Sequence, residues 1–182
     1  MIFWRIPRLW HAGGMNQAAA PMLPGLRDPA HRVSRRAVRY WTARAALGGL
    51  VLLGAEIGVA VGVGFGGWQW VALPVTVLLA AGYTVIMPRW RYRVHRWEVT
   101  DEAVYTRAGW ISVHWRIAPI NRIQTIDSHR SFGERLFGLA NVTATTASAE
   151  GHVHIHGLDR ATADRLLDEL TIATGHTPGD AT

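Results

Sequence analysis

The sequence predicts an α+β protein, a two-helix transmembrane hairpin followed by an antiparallel β-sheet domain closed by a C-terminal helix. Three observations carry this. Two nearly uncharged runs of helical length stand in tandem at residues 45–63 and 68–87. The charge is divided: +7 over residues 1–44, −1 over 45–88, +4 over 89–96 and −4 over 97–182, so arginines bracket an almost uncharged block. Beyond Arg93 the apolar period shortens to that of strands, and it returns to helical spacing only near the C-terminus.

Composition agrees. Of 182 residues 49% are hydrophobic and only 18% charged, against about a quarter charged in soluble domains. Every one of the 19 basic residues is Arg, and there is no Cys. Disulfide scaffolds, thiolate-bound zinc or iron–sulfur clusters and cysteine nucleophiles are therefore excluded. The wealth of Val, Leu, Ile and Trp excludes disorder along the whole chain. Because the positive charge flanks an apolar block instead of covering a globular surface, nucleic acid is not an expected partner.

Taken in order, residues 1–30 are expected to be a disordered extension. They contain Pro7, Pro21, Pro24 and Gly13-Gly14 and no apolar core of signal-peptide length. Met15 is an alternative start. Residues 31–88 form the hairpin, with helices at about 41–64 and 68–87. Each run suits the ~20 residues that cross ~30 Å of hydrocarbon. The glycine-rich link Gly64–Gly67 makes the pair antiparallel. Arg32, Arg35, Arg36, Arg39 and Arg44 precede the first span, Arg89, Arg91, Arg93 and Arg96 follow the second, and the link has no charge. The positive-inside rule then puts both termini in the cytoplasm. Tyr40, Trp41, Trp68, Trp70, Trp90 and Tyr92 suit the interfacial aromatic belts.

Gly54, Gly58, Gly62 and Gly66 recur every four residues, a small-residue stripe that favours close helix packing, here expected against the second span, with oligomerisation as the alternative. Glu56 is a lone ionisable group within a span; two residues from Gly54, it points away from the stripe. A transport role would need a partner charge, and neither span supplies one. The Arg89, Arg91, Arg93 and Arg96 row is a candidate for anionic lipid headgroups, against ordinary positive-inside anchoring.

The sheet domain is expected over 89–175, with a disordered tail at 176–182. Strands are expected at Val94–Thr100, Ala103–Arg107, Trp110–Ile117, Ile120–Ser128, Asn141–Thr146 and His152–His156. Phe132–Leu139 reads as a short helical turn closed by Gly138, where a positive φ is expected and Phe137 and Leu139 turn inward beneath the sheet. Asp159 caps a helix from Arg160 to about Thr174, ended by Gly175. Ala163, Leu166, Leu167, Leu170 and Ala173 form its apolar stripe. The domain is expected to fold without its anchor.

Pro119, Arg122, Ile123 and Gln124, then Arg135, Phe137, Gly138 and Leu139, then Thr146 and Ala147, resemble the motif set of the bacterial pleckstrin-homology-like (PH-like) family, of the small YdbS-like membrane type. The likeness covers roughly residues 30–174. It implies a bacterial protein with a PH-like fold, a bent antiparallel sheet capped by the C-terminal helix, and it names no ligand.

No nucleophile elbow, P-loop, dinucleotide fingerprint or zinc-protease motif is present, and no cofactor is implied. His152, His154 and His156 alternate along a strand, so their imidazoles share one face about 7 Å apart. They are weak candidates for a metal; a solvent-facing polar row with Val153 and Ile155 inward is the stronger expectation. The sequence thus points to a non-enzymatic, multi-pass inner-membrane protein, an interaction or assembly module at the cytoplasmic face. Its expected partners are membrane lipids and a membrane protein or a second copy of itself. A ligand-binding sensor for anionic headgroups or a metal ion is the alternative.

Overall fold

Ser34 starts the first helix earlier than the apolar run suggests. Its side chain accepts from the Arg36 N–H, and α1 runs Arg35–Val63. The second helix, α2, runs Gln69–Val94 and carries Arg89, Arg91 and Arg93 inside it, where the end of the hairpin was expected near residue 87. Arg91 and Arg93 stand in its last turn, where cations suit the helix dipole. The computed structural model describes residues 28–64, 66–146 and 151–175. The extension through residue 27 with Met15, Phe65 of the link, Ala147 and the tail at 176–182 lie outside them.

Residues 28–32 lie along the sheet. β1 (His31–Arg32) pairs antiparallel with β2 (Arg96–Val99). Asp28 bonds Arg107 at 2.7 Å, and the Arg96 guanidinium donates to the Pro29 carbonyl at 3.3 Å. β3 (Ala103–Gly109) and β4 (Val113–Pro119) complete a four-stranded sheet in the order β1-β2-β3-β4. A 3-10 turn, Ile120–Arg122, buries Ile120 where the sequence suggested a strand already under way. β5 (Ile123–His129), β6 (Leu139–Thr146) and β7 (His152–Asp159) form a second sheet, and α3 (Phe132–Leu136) links β5 to β6. α4 (Arg160–Ala173) is capped by Asp159, which accepts from the Thr162 N–H, and Gly175 follows with φ 69°.

The main core lies between the sheets and α4. Val104, Ile123, Val142, Ile155, Leu158, Ala163, Leu166 and Leu170 are among its members. A second cluster joins Val33, Ala37 and Trp41 to Leu139, with Tyr40, Tyr92 and Phe137 packed against it. Phe137 and Leu139 therefore meet α1 instead of locking the turn beneath the sheet. The Ser34 N–H donates to the Gly157 carbonyl at 2.9 Å. A Cβ at Gly157 would sit 3.0 Å from the Ala37 Cβ, so glycine is what lets β7 approach the helix. The expected boundary at residue 89 does not separate two bodies, because the first turns of α1 belong to the core of the sheet domain.

Within the hairpin the packed face is not the expected one. A Cβ at Gly54, Gly58 or Gly62 would meet nothing within 4 Å, and Gly66 lies in the link beyond the end of α1. Among the glycines of α1 it is Gly49 that meets α2, where a Cβ would come 3.1 Å from the Ala80 Cβ. Ala45, Gly49, Leu53, Glu56 and Ala60, at helical spacing, form the more buried side of α1. The glycine stripe lies nearly opposite, which is why Glu56, pointing away from it, has a carboxylate oxygen enclosed without a hydrogen-bond partner. Leu50, Val51, Val61 and Leu78 on the outer faces are exposed, as lipid-facing residues of a span must be.

Candidate functional site

A cleft of about 850 Å³ opens between the hairpin and the sheet domain. Its hairpin side is apolar. Ala45, Gly48, Gly49 and Leu52 of α1 face Thr76, Leu79, Ala80 and Tyr83 of α2 there. Gly48 leaves this wall open, since a Cβ added to it would meet nothing within 4 Å. The mouth is polar, formed by Arg44, Arg91, Glu134, Asn141 and His156.

The sheet domain holds the mouth in place. Ser131 and Glu134 form a capping box at the start of α3. Glu134 Oε2 accepts from the Ser131 N–H and hydroxyl, both at 2.8 Å, and Oε1 accepts from Asn141 Nδ2 at 2.6 Å. Asn141 Oδ1 in turn accepts from the Gly157 N–H at 2.9 Å. Burial would raise the Glu134 carboxyl, but these hydrogen bonds outweigh it and hold the group below its ordinary value. Glu134 is thus an ionised carboxylate with both oxygens engaged.

Arg91 enters from α2. Its guanidinium lies 4.5 Å over the Trp41 ring, and its Nε–H donates to His95 Nε2 at 3.3 Å. His95 Nδ1 must carry the proton, because it bonds the Arg91 carbonyl at 2.8 Å and a carbonyl can only accept. Burial, then the charge of Arg91, push His95 down to about 4. His156 is lowered by burial first, then by His154 and Arg91. Near pH 7 both rings stay neutral beside the guanidinium. Arg44 is close enough for its charge to act on Arg91, and among the described residues neither arginine forms an ion pair with a carboxylate. Two cations therefore stand at the polar end of the cleft without an ion-pair partner, beside a Glu134 carboxylate whose oxygens are already engaged by Ser131 and Asn141.

The four arginines grouped in the sequence are dispersed. Residues two apart on a helix are about 200° apart, and residues four apart nearly share a face. Arg89 and Arg93 are accordingly exposed on one side, with Arg89 folded back on the Val85 carbonyl at 2.7 Å, while Arg91 points into the cleft. Arg96 is on β2, bonded to Pro29. The histidine row has the expected alternation, with Val153 and Ile155 buried and His152 and His154 exposed. Its rings lie side by side, 6.0 Å and 5.5 Å between centroids, and His152 and His154 share hydrogen bonds with the Thr145 and Thr143 hydroxyls. Among the described residues no three metal-ligating side chains converge; a row along one strand keeps its nitrogens apart. Of the family-motif residues, Ile123 and Leu139 are buried, Phe137 packs on Tyr40 at 5.7 Å, and Arg122, Gln124 and Arg135 are exposed. They shape the fold and do not line the cleft, Leu139 excepted. Arg44, Glu134, Asn141 and His156 were not assembled by sequence reasoning. They come from α1, α3, β6 and β7, and no local spacing announces their meeting.

Fold and site together define a class: a membrane protein whose two apolar helices are welded to a PH-like sheet domain, with a cleft at the weld. The chain belongs to the bacterial PH domain family, which it matches over residues 45–173. It is 30% identical over 149 residues to the UPF0699 transmembrane protein YdbS of Bacillus subtilis (strain 168), a match covering 79% of this chain and 92% of that relative. No solved structure matches it.

Proposed function

We propose that the protein is a non-enzymatic, membrane-anchored binding module at the cytoplasmic face of the bacterial inner membrane, with both termini inside. Its ligand is an anionic amphiphile of the inner leaflet. The observation that carries this is Arg44 and Arg91, neither in an ion pair among the described residues, at the polar end of a cleft whose other side is apolar and formed by the hairpin. Two guanidiniums match the geometry of a phosphate group. The groove behind them matches a hydrocarbon chain, and the open wall at Gly48 gives that chain room. The interaction or assembly role suggested by the sequence is the wider class to which this belongs; lipid binding is the member that a specific geometry supports.

The test is retention of lipid through purification. The full chain, extracted in mild detergent, is examined by native mass spectrometry and by extraction of bound lipid. The wild type should hold phosphatidylglycerol or another anionic phospholipid, and Arg44→Gln with Arg91→Gln should lose it. Gly48→Leu, which fills the apolar part and leaves both charges, should also lose it. Inorganic phosphate should fail to displace the lipid. A wild type that carries no lipid, or that retains phosphatidylethanolamine equally well, overturns the proposal.

A further inference from the structure

The β3–β4 turn, Gly109 to Ser112, is a feature the cleft does not explain. It reads Gly-Trp-Ile-Ser and carries no charge. Ile111 at its tip is 90% exposed, the most exposed of the large hydrophobic residues described. Turns that face water are commonly built from Gly, Pro, Asn, Asp and Ser, so a bare isoleucine beside a tryptophan asks for a partner.

The turn is fastened to α2. Trp90 Nε1 donates to the Trp110 carbonyl at 3.1 Å, and the Trp110 ring meets Tyr83 edge-on with 6.0 Å between centroids. Tyr83 lies six residues before Arg89, the first charge after the run that begins at Trp68. At 1.5 Å per residue that is about 9 Å toward the membrane interior. Trp110 is therefore level with the last turns of the apolar span. Residues 108–115 around it carry no Asp, Glu, Lys or Arg. Arg107, the nearest charge on β3, is paired with Asp28 at 2.7 Å and lies 5.1 Å over Trp115. His114 shares a hydrogen bond of 3.1 Å with Ser112.

We infer that the β3–β4 turn inserts into the lipid leaflet on the domain's side of the membrane, as a contact separate from the two spans. Ile111 enters the hydrocarbon, and Trp110, Trp90 and Tyr83 form an aromatic group at the headgroup boundary, where amphipathic rings concentrate. The occupant of this surface is the bilayer itself, because the helix that holds the turn is the helix that spans it. The insertion fixes the tilt of the sheet domain at a point away from the weld at α1. It does not depend on what the cleft binds.

The absence of cysteine makes the experiment direct. Full-length Ile111→Cys is labelled with an environment-sensitive fluorophore and reconstituted in vesicles of phosphatidylcholine and phosphatidylglycerol carrying nitroxide lipid. Val63→Cys, in the first span, and Gln124→Cys, beyond the end of β4 remote from the turn, are the references. The label at 111 should emit as in an apolar medium and be quenched several-fold more than that at 124, approaching that at 63. Ser112→Cys reads the same turn with Ile111 intact and should be quenched too. Solvent-like emission without quenching at both 111 and 112 overturns the inference.

Discussion

Two apolar cores hold this molecule, and they differ in where the chain finds their parts. The main core draws all its buried members from residues 104–170, within the sheets, the 3-10 turn and α4. The second joins Val33, Ala37 and Trp41 at the start of the described chain to Leu139 of β6. The first makes the sheet domain a unit. The second joins that unit to the start of α1, and the cleft lies against it, with Trp41 and Leu139 in its wall. A site can thus rest on the smaller and more distant of two cores.

Removing Trp41 is the sharpest way to break this comparison. It is 5% exposed, packs in the second core, and carries the Arg91 guanidinium on its ring. Trp41→Ala should cost about 3–5 kcal/mol, the usual range for a buried large aromatic. The loss should fall on the weld. Hydrogen exchange should quicken at Ser34–Arg44 and at Gly157, while β6 amides facing α4 stay protected. A full-chain melt in detergent with an unchanged midpoint would show that the second core does not hold the domain to its hairpin.

The same contrast explains what the sequence made legible. The main core is local: alternation in β7 buries Val153 and Ile155, and a helical stripe in α4 buries Ala163, Leu166 and Leu170. Those signals repeat within a few residues, so both elements and the Asp159 cap could be read. The spans were legible for the same reason. The second core was not, because Ala37 and Trp41 sit in an arginine-rich stretch that reads as a membrane flank. Ser34 was an available signal, a capping residue just ahead of the helix, but the apolar run drew the helix start to about residue 41. The glycine stripe misled because spacing shows which residues share a face and not which face meets the neighbour. Arg91 was separable from Arg89 and Arg93 only once α2 was known to continue past Pro88. The meeting of Arg44 with Arg91 needed the hairpin's register, which Gly49 and Ala80 set.

Acid should separate the two cores again. His95 is 4% exposed at the end of α2, its ring 5.3 Å from that of Trp41. Burial and the charge of Arg91 lower it from 6.5 to about 4. The folded state therefore binds the proton less readily than the unfolded chain. Stability from this group is at its full value above pH 6.5 and falls as pH drops through that window toward 4. The gap corresponds to about 3 kcal/mol. His156 and His154, lowered in the same direction, add to the trend. Protonation also ends the Nε2 acceptance that orients Arg91. Melting points of the full chain between pH 7 and pH 4, two values spanning the His range near 6.5, should decline, and His95→Gln should flatten much of the slope. A slope unchanged in that variant would assign the acid loss to other groups.

The smallest expected effect lies at Gly138, where α3 hands over to β6 beside the second core. Its φ is 65°, in the left-handed region that the sequence anticipated at the end of a short helical turn. Its N–H donates to the Arg135 carbonyl at 3.1 Å, and its own carbonyl accepts from the Arg160 N–H at 3.2 Å, so the turn is tied to the start of α4. A Cβ there would come 2.9 Å from Arg36 Nη1, the mobile end of a side chain that can move aside. Steric conflict is therefore minor, and backbone strain sets the magnitude. A β-branched residue at positive φ should cost about 1–3 kcal/mol, so Gly138→Val should lower the melting midpoint by less than Trp41→Ala does. Asn tolerates this region better than other side chains, so Gly138→Asn should recover part of the loss. If Asn and Val lower the midpoint equally, the penalty comes from contact with α1 and not from φ, and Gly138 belongs with the weld instead of the turn.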